Sequence, residues 1–227
     1  NSNHRYHKWK NLIHGFEPMA ANQLWVADIT YIMLNNGDVC YLHLITDAYS
    51  RMIVGWELAD TLRASITIKA LEQAISQTGG VSLEDLTHHS DRGVQYCCDD
   101  YVQMLQTHKI KISMTEDYNP TDNAIAERAN GVIKTETVYS RKTFNSLEHA
   151  RNVIGRFIHF YNYRRPHMSI GYKIPAVVHT ETGAQKKMWK KKNYPKKAYN
   201  NGNNGISLPC RTTGADDGCN HHTVYSI

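Results

Sequence analysis

Apolar and β-branched residues crowd three consecutive early stretches, "LWVADITYIML" (24–34), "DVCYLHLITDAYS" (38–50) and "RMIVGWELAD" (51–60). Each has the composition of a strand, and "NNGD" between the first two is a hairpin signal, because Asn-Gly accepts the positive φ of a tight turn. Three antiparallel strands are predicted. The period then lengthens: in "RASITIKALEQAISQTGG", Ile66, Ala70, Leu71, Ala74 and Ile75 recur at helical spacing until Gly79-Gly80 stops the pattern. A short strand near 85–89, a helix near 98–108 with Tyr101, Val102 and Leu105 on one side, a strand in "IKISMT" and a helix opened by "NPTDNA" continue as β-α-β-α. A last amphipathic helix over 146–163 puts Leu147, Ala150, Ile154, Phe157, Ile158 and Tyr161 at helical intervals and reads as structural. The pattern predicts an α/β fold, a mixed five-stranded sheet (three antiparallel strands, then β-α-β-α) flanked by helices.

The flanks lack this periodicity. Residues 1–20 are polar and basic with scattered aromatics and read as a linker or arm; 21–180 form the core; 181–227 read as a basic, flexible tail, lysine-rich over 186–197 and then Asn/Gly-rich. A hydrophobic content of 41% supplies one sizeable core, and the net charge of +5 suits a polyanionic partner without requiring one. Five cysteines with no Cys-x-x-Cys pair argue against a disulfide framework and point to a reducing, cytoplasmic setting. No apolar run approaches the length of a membrane span, and no signal-peptide pattern opens the chain, so no membrane role is expected. The chain begins at Asn1 rather than Met, as a piece of a longer or processed protein would.

Three carboxylates carry the candidate chemistry. Asp28 sits inside the apolar "WVADITYI", where a buried, unpaired charge costs several kcal/mol or shifts its pKa; alone it reads equally as an edge aspartate facing solvent or paired with an arginine. Asp91, in "HHSDRGVQY", alone reads as a turn aspartate before glycine. Glu127 shares a helix face with Asn123, four residues before it, and Lys134, seven after it, and alone reads as a solvated helix residue. Taken together, one carboxylate on the first strand, one at the end of a later strand and one on the following helix supply the hard oxygen ligands of a divalent-metal phosphoryl-transfer site.

At this point the chain resembles the catalytic region of bacterial insertion-sequence transposases of the DDE type, which share a ribonuclease-H-like fold with retroviral integrases. The resemblance rests on "QLWVADITYI", "DAYSRMIVGW" (47–56), "HSDRGVQY", "NPTDNAIAERANGVIKTE" and "FYNYRRPHMSIGYKIP" (160–175), in that order, over roughly 21–180. It implies that Asp28, Asp91 and Glu127 bind two Mg²⁺ ions, with Mn²⁺ as a substitute and Asp28 bridging. Asn123 and Lys134 then fall close to a DNA substrate, and Tyr161, Arg165 and His167 fall in the downstream motif. For Arg165 and His167, phosphate contact and a packing or capping role stand level. Arg164, with Arg165 and the seven lysines of 186–197, offers further phosphate contacts. The implied partners are element-end and target DNA, a second copy of the chain on DNA and a separate helix-turn-helix protein or domain. The implied location is the bacterial cytoplasm, at the nucleoid during action.

Two features depart from the pattern: no helix-turn-helix precedes residue 20, and the tail from about 198 matches nothing in the family. A ribonuclease-H or resolvase-like nuclease, or a non-catalytic DNA-binding remnant, remain as alternatives. Cys210, Cys219, His221 and His222 lack standard zinc spacing, and His88 and His89 read as scaffold residues beside a strand rather than as bases.

Overall fold

A computed structural model describes residues 4–116, 123–138 and 144–185; the lysine run, the tail with its Cys/His group, and Pro120, Thr121 and Asp122 lie outside the described residues. Strands β1 (Leu24–Met33), β2 (Val39–Asp47) and β3 (Ile53–Ala59) form the predicted antiparallel meander. At the Asn-Gly turn Gly37 takes φ +88, and Leu34 N–H donates to Asp38 O at 2.8 Å. Helix α1 (Ala64–Gln77) leads to β4 (Thr87–Ser90), parallel to β1, and α2 (Val94–Cys97) and α3 (Asp99–Thr107) lead to β5 (Lys111–Met114), parallel to β4. The sheet order is β3-β2-β1-β4-β5, so the strand bearing Asp28 is central.

The second and third strands end and begin further apart than the unbroken apolar run suggests. Asp47 organises the turn between them: its Oδ1 accepts from Ser50 N–H (2.7 Å) and Ser50 Oγ (2.8 Å), and its Oδ2 accepts from Asn22 N–H (2.8 Å). Arg51 takes a left-handed φ of +68 to close the turn. A side chain that bonds backbone locally diverts the chain from the ladder.

Both sheet faces are covered. Trp25, Ala27, Ile45 and Val54 pack against Ala70, Leu71 and Ala74 of α1 and Tyr101 and Leu105 of α3. On the other face Ile32, Leu42, Leu44 and Ile53 meet Ile133 of α4 (Ala124–Ile133) and Ala150, Ile154 and Ile158 of α5 (Leu147–Tyr163). Helix α5 starts where Ser146 Oγ accepts from His149 N–H at 3.1 Å, an N-cap that serine supplies well. Helix α1 lies so close to β3 that a Cβ on Gly55 would stand 2.1 Å from Ala70 O, so only glycine fits there.

The amino-terminal arm runs along β5: Leu12 N–H donates to Ser113 Oγ at 2.8 Å, and Ile13 packs with Leu24 and Val26. One asymmetry of the sheet decides where chemistry can occur. β1 pairs with β4 only from Leu24↔Thr87 to Val26↔His89, whereas its pairing with β2 continues to Met33↔Val39. Beyond Val26, that edge of β1 has no strand beside it among the described residues, and a gap opens at the carboxyl ends of two parallel strands, the usual place for a site in such sheets.

Candidate active site

Asp28 and Asp91 each stand two residues beyond the last paired positions, Val26 and His89, and so flank this gap. Strand alternation puts Asp28 on the same face as Leu24 and Val26, the face that α4 covers through Ala126. Asp28 Oδ1 accepts from Ile29 N–H at 2.9 Å and Oδ2 from Asn130 Nδ2 at 2.7 Å. Asp91 Oδ1 accepts from Gly93 N–H at 2.9 Å, the local turn that Asp-x-Gly favours. A Cβ at Gly93 would approach that oxygen to 2.9 Å and Gln95 Oε1 to 3.1 Å, so any larger residue there would displace the Asp91 carboxylate. Asp91 is therefore a turn aspartate whose charge also acts on Asp28.

Helix α4 is fixed over the gap at its first turn. Asn123, 7% exposed, donates from Nδ2 to Ala27 O at 3.2 Å, and Asn130, 5% exposed, reaches Asp28 two turns later. Glu127 lies between them on this side of the helix and is exposed. Burial raises the Asp28 carboxyl from 3.8 to about 6; the Asn130 hydrogen bond opposes this, and the charges of Asp91 and Glu127 add to it. The three predicted carboxylates thus share one field. Among the described residues, no three His, Cys, Asp or Glu side chains lie close enough together to form a metal-ligand group.

The other predicted residues divide by position. Lys134 starts a π-helical turn, Lys134–Val138, that extends α4, and its Nζ stands 4.2 Å from the Tyr31 ring centroid. Partial burial lowers its pKa while Asp28 supports its charge. Arg165 is ion-paired to Glu136 of the same turn and lies 3.3 Å from His167 Nε2. His167 is 8% exposed, packs edge-on to Tyr161 with centroids 4.4 Å apart, and is pushed down to about 4 by burial and then by the Arg165 charge. Arg164 is exposed. The expectation of direct DNA contact thus meets burial at Asn123 and His167, which brace α4 and the segment after α5.

His88 and His89 are scaffold residues, as expected. His88 Nε2 lies 2.9 Å from Tyr101 Oη and His89 Nδ1 lies 2.8 Å from Ser113 Oγ, and burial lowers both, to about 3 and about 4. Sequence reasoning missed Asn130. The signal was present, since 123, 127, 130 and 134 continue one helical face. Tyr31 was hidden by its place in an apolar strand; its exposure follows from the open edge of β1.

Comparison with known proteins agrees with this fold. Residues 18–120 and 108–175 match two family models, each described as an integrase core domain. This chain belongs to the integrase core domain family. Among relatives of this integrase core, the "Putative transposase for insertion sequence element IS986/IS6110" of Mycobacterium tuberculosis is 37% identical over 174 residues, 75% of this chain and 62% of that protein. The "Transposase for insertion sequence element IS629" of Shigella sonnei is 33% identical over 158 residues, 68% of this chain and 51% of that protein. The chain thus spans less than two thirds of the length of these relatives. The HTLV-2 integrase catalytic core domain, solved in complex with magnesium, superposes with a TM-score of 0.56 at 20% identity, covering 72% of this chain and 99% of that one. A simian T-cell lymphotropic virus intasome superposes at 0.62 and 20% identity, covering 84% of this chain and 66% of its own. These neighbours establish the predicted ribonuclease-H-like fold. No helix among the described residues is long and apolar enough to cross a membrane.

Proposed function

We propose that this integrase core is the catalytic part of a transposase that cuts and joins DNA strands at phosphodiesters, with Asp28, Asp91 and Glu127 as its metal-binding residues. The observation that carries this reading is the half-buried Asp28 at the open edge of β1, raised to about 6 first by burial and further by the charges of Asp91 and Glu127, which face the same gap. Clustering like charges is unfavourable unless a cation offsets it. All three donors are hard oxygens, and the two hydrogen bonds on Asp28 leave acceptor capacity on both its oxygens. The residues therefore fit divalent cations, and loading has to draw the three carboxylates closer together.

Two Mg²⁺ ions, when bound, would supply charge that activates a hydroxyl nucleophile and stabilises the departing oxygen of an in-line displacement. The chain's own residues do the positioning. Ile29 N–H and Asn130 aim the Asp28 oxygens, Gly93 N–H aims Asp91, and Asn123 ties the first turn of α4 to β1 so that Glu127 rises beside them. Lys134, near Asp28 and only partly buried, is placed to neutralise a phosphate beside the reacting one, and Arg164 to hold DNA further out. Element-end and target DNA are the proposed substrates, held by more than one copy of the chain; a separate helix-turn-helix module would recognise the ends.

The test is a labelled, pre-cut element end mixed with plasmid and Mg²⁺, scored for joined product, beside an RNA–DNA hybrid scored for cleavage. Joining is the expected result. Hybrid cleavage with no joining by the full-length parent would replace the transposase with a nuclease.

A further inference from the structure

The gap beside β1 contains a cavity of about 220 Å³ that the three carboxylates do not explain. Ile29, Tyr31, Tyr41, Leu62, Asp91 and Gln95 are among the residues that line it. Tyr31 and Tyr41 are direct cross-strand partners. Tyr31 is 60% exposed although it belongs to the central strand, and the Lys134 ammonium 4.2 Å from its ring centroid holds the ring by one face. Gln95 Nε2 donates to Leu62 O at 3.1 Å, which fixes the cavity's far wall.

Strand geometry adds polar groups. Ala27 O accepts from Asn123 and Ile29 N–H donates to the Asp28 side chain, so the odd-numbered residues turn their backbone groups toward the open edge. By the same alternation Ile29 C=O and Tyr31 N–H lie along that edge, an acceptor and a donor beside two aromatic rings. A phosphate is a poor occupant, because Asp91 borders the cavity and Asp28 lies next to it in sequence. A flat, uncharged heterocycle with hydrogen-bonding edges suits it: aromatic rings bind bases by stacking, and enzymes that act on nucleic acid commonly take a base out of its stack.

We infer that this cavity receives one unstacked nucleobase of the DNA strand whose phosphate lies at the carboxylates, with Tyr31 as its stacking platform and Tyr41 at its side. This rests on the reading of the site as one that acts on DNA ends, and it names the part of the substrate that the site grips beyond the phosphate. Lys134 then serves twice, holding the ring and facing the neighbouring phosphate.

The probe is a DNA duplex with a short single-stranded 3′ end carrying 2-aminopurine at successive terminal positions, bound to the chain in Ca²⁺ so that no chemistry intervenes. The wild-type chain should quench 2-aminopurine at one position. Tyr31→Ala should abolish the quenching and weaken end binding about tenfold, from the loss of one base–aromatic stack. Tyr31→Phe should retain the quenching, since the ring and not the hydroxyl stacks. An abasic residue at that position should bring wild type and Tyr31→Ala to equal affinity. No quenching by wild type, equal quenching by Tyr31→Ala, or an abasic end that leaves their difference intact would overturn the inference. Joining in Mg²⁺, measured separately, reports on the enzyme: Tyr31-dependent quenching without joining retires the transposase reading alone, and joining without Tyr31-dependent quenching retires the base site alone.

Discussion

Asp28→Asn should stabilise the metal-free protein, and the gain should depend on pH as the ionisation of a buried carboxylate does. A carboxyl held at about 6 instead of 3.8 contributes full stability below pH 3.8 and loses it as the pH rises through 6. At about 1.4 kcal/mol for each pH unit of displacement, its ionisation in the fold costs about 2–3 kcal/mol above that pH. The replacement amide removes this cost and keeps the geometry. Its oxygen can accept from Ile29 N–H, and its NH₂ meets Asn130, whose buried Oδ1 has no hydrogen-bond partner and can turn to accept it. In EDTA at pH 8, urea unfolding should show the variant more stable by about 2–3 kcal/mol, or about 5–10 °C in Tm for a core of this size. The difference should shrink toward zero as the pH falls below 3.8, where Asp28 becomes protonated in both folded and unfolded chains. Added Mg²⁺ should raise the wild type more than the variant, because a ligand stabilises the state that binds it. Equal or lower stability of Asp28→Asn at pH 8 in EDTA would refute the picture of a buried Asp28 carboxylate whose ionisation opposes folding.

Three more outcomes follow from the packing and the charges. Gly55→Ala should destabilise the fold by more than about 3 kcal/mol in urea, since its Cβ meets Ala70 O and the α1 backbone must move; a loss under about 1 kcal/mol would mean that α1 docks loosely. His43, His88, His89 and His167 are held, first by burial, at about 4, 3, 4 and 4, below their ordinary 6.5. At these histidines the unfolded chain takes up protons first as the pH falls, while Asp28 opposes them by one proton, so stability should drop by a net of about 4 kcal/mol per pH unit between roughly pH 6 and 4; unfolding curves from pH 7 to 5 that coincide would contradict this. Lys134→Ala should lower the slope of log affinity for DNA against log salt by about one, one phosphate contact, with equal slopes marking Lys134 as a lysine that only covers Tyr31.

Periodicity was a good guide wherever packing is ordinary. The meander, the two helix-linked strands and α5 follow the alternation and helical spacing because each buries one face or stripe against the sheet. Boundaries slipped where a side chain took over the backbone: nothing in the apolar run "DAYSRMIVGW" shows that Asp47 will bond Ser50 and end β2. Only Asp28 stood out by its own surroundings, an apolar strand; Asp91 and Glu127 are exposed and joined it through the order of the motifs. Their supports were not legible. Asn130 looked like any polar helix residue until the helix was seen to lie over Asp28, and the open edge that exposes Tyr31 depends on how short β4 is, which no feature of β1 encodes. Burial of His167 against Tyr161, likewise, follows from how the chain folds back after α5 and not from the spacing of the two residues.

The account stands on Asp28, Asp91 and Glu127 acting as one centre, and single-turnover joining of a pre-cut end by Asp28→Asn, Asp91→Asn, Glu127→Gln and the three double variants tests this most directly. Groups that act as a unit are strongly non-additive, because removing one already disables the rest. Each single variant should lose at least about a thousandfold in rate while still binding the DNA end, and no double variant should fall much below the singles. Any one of the three retaining joining within about tenfold of wild type, or losses that multiply in the double variants, would contradict a shared centre.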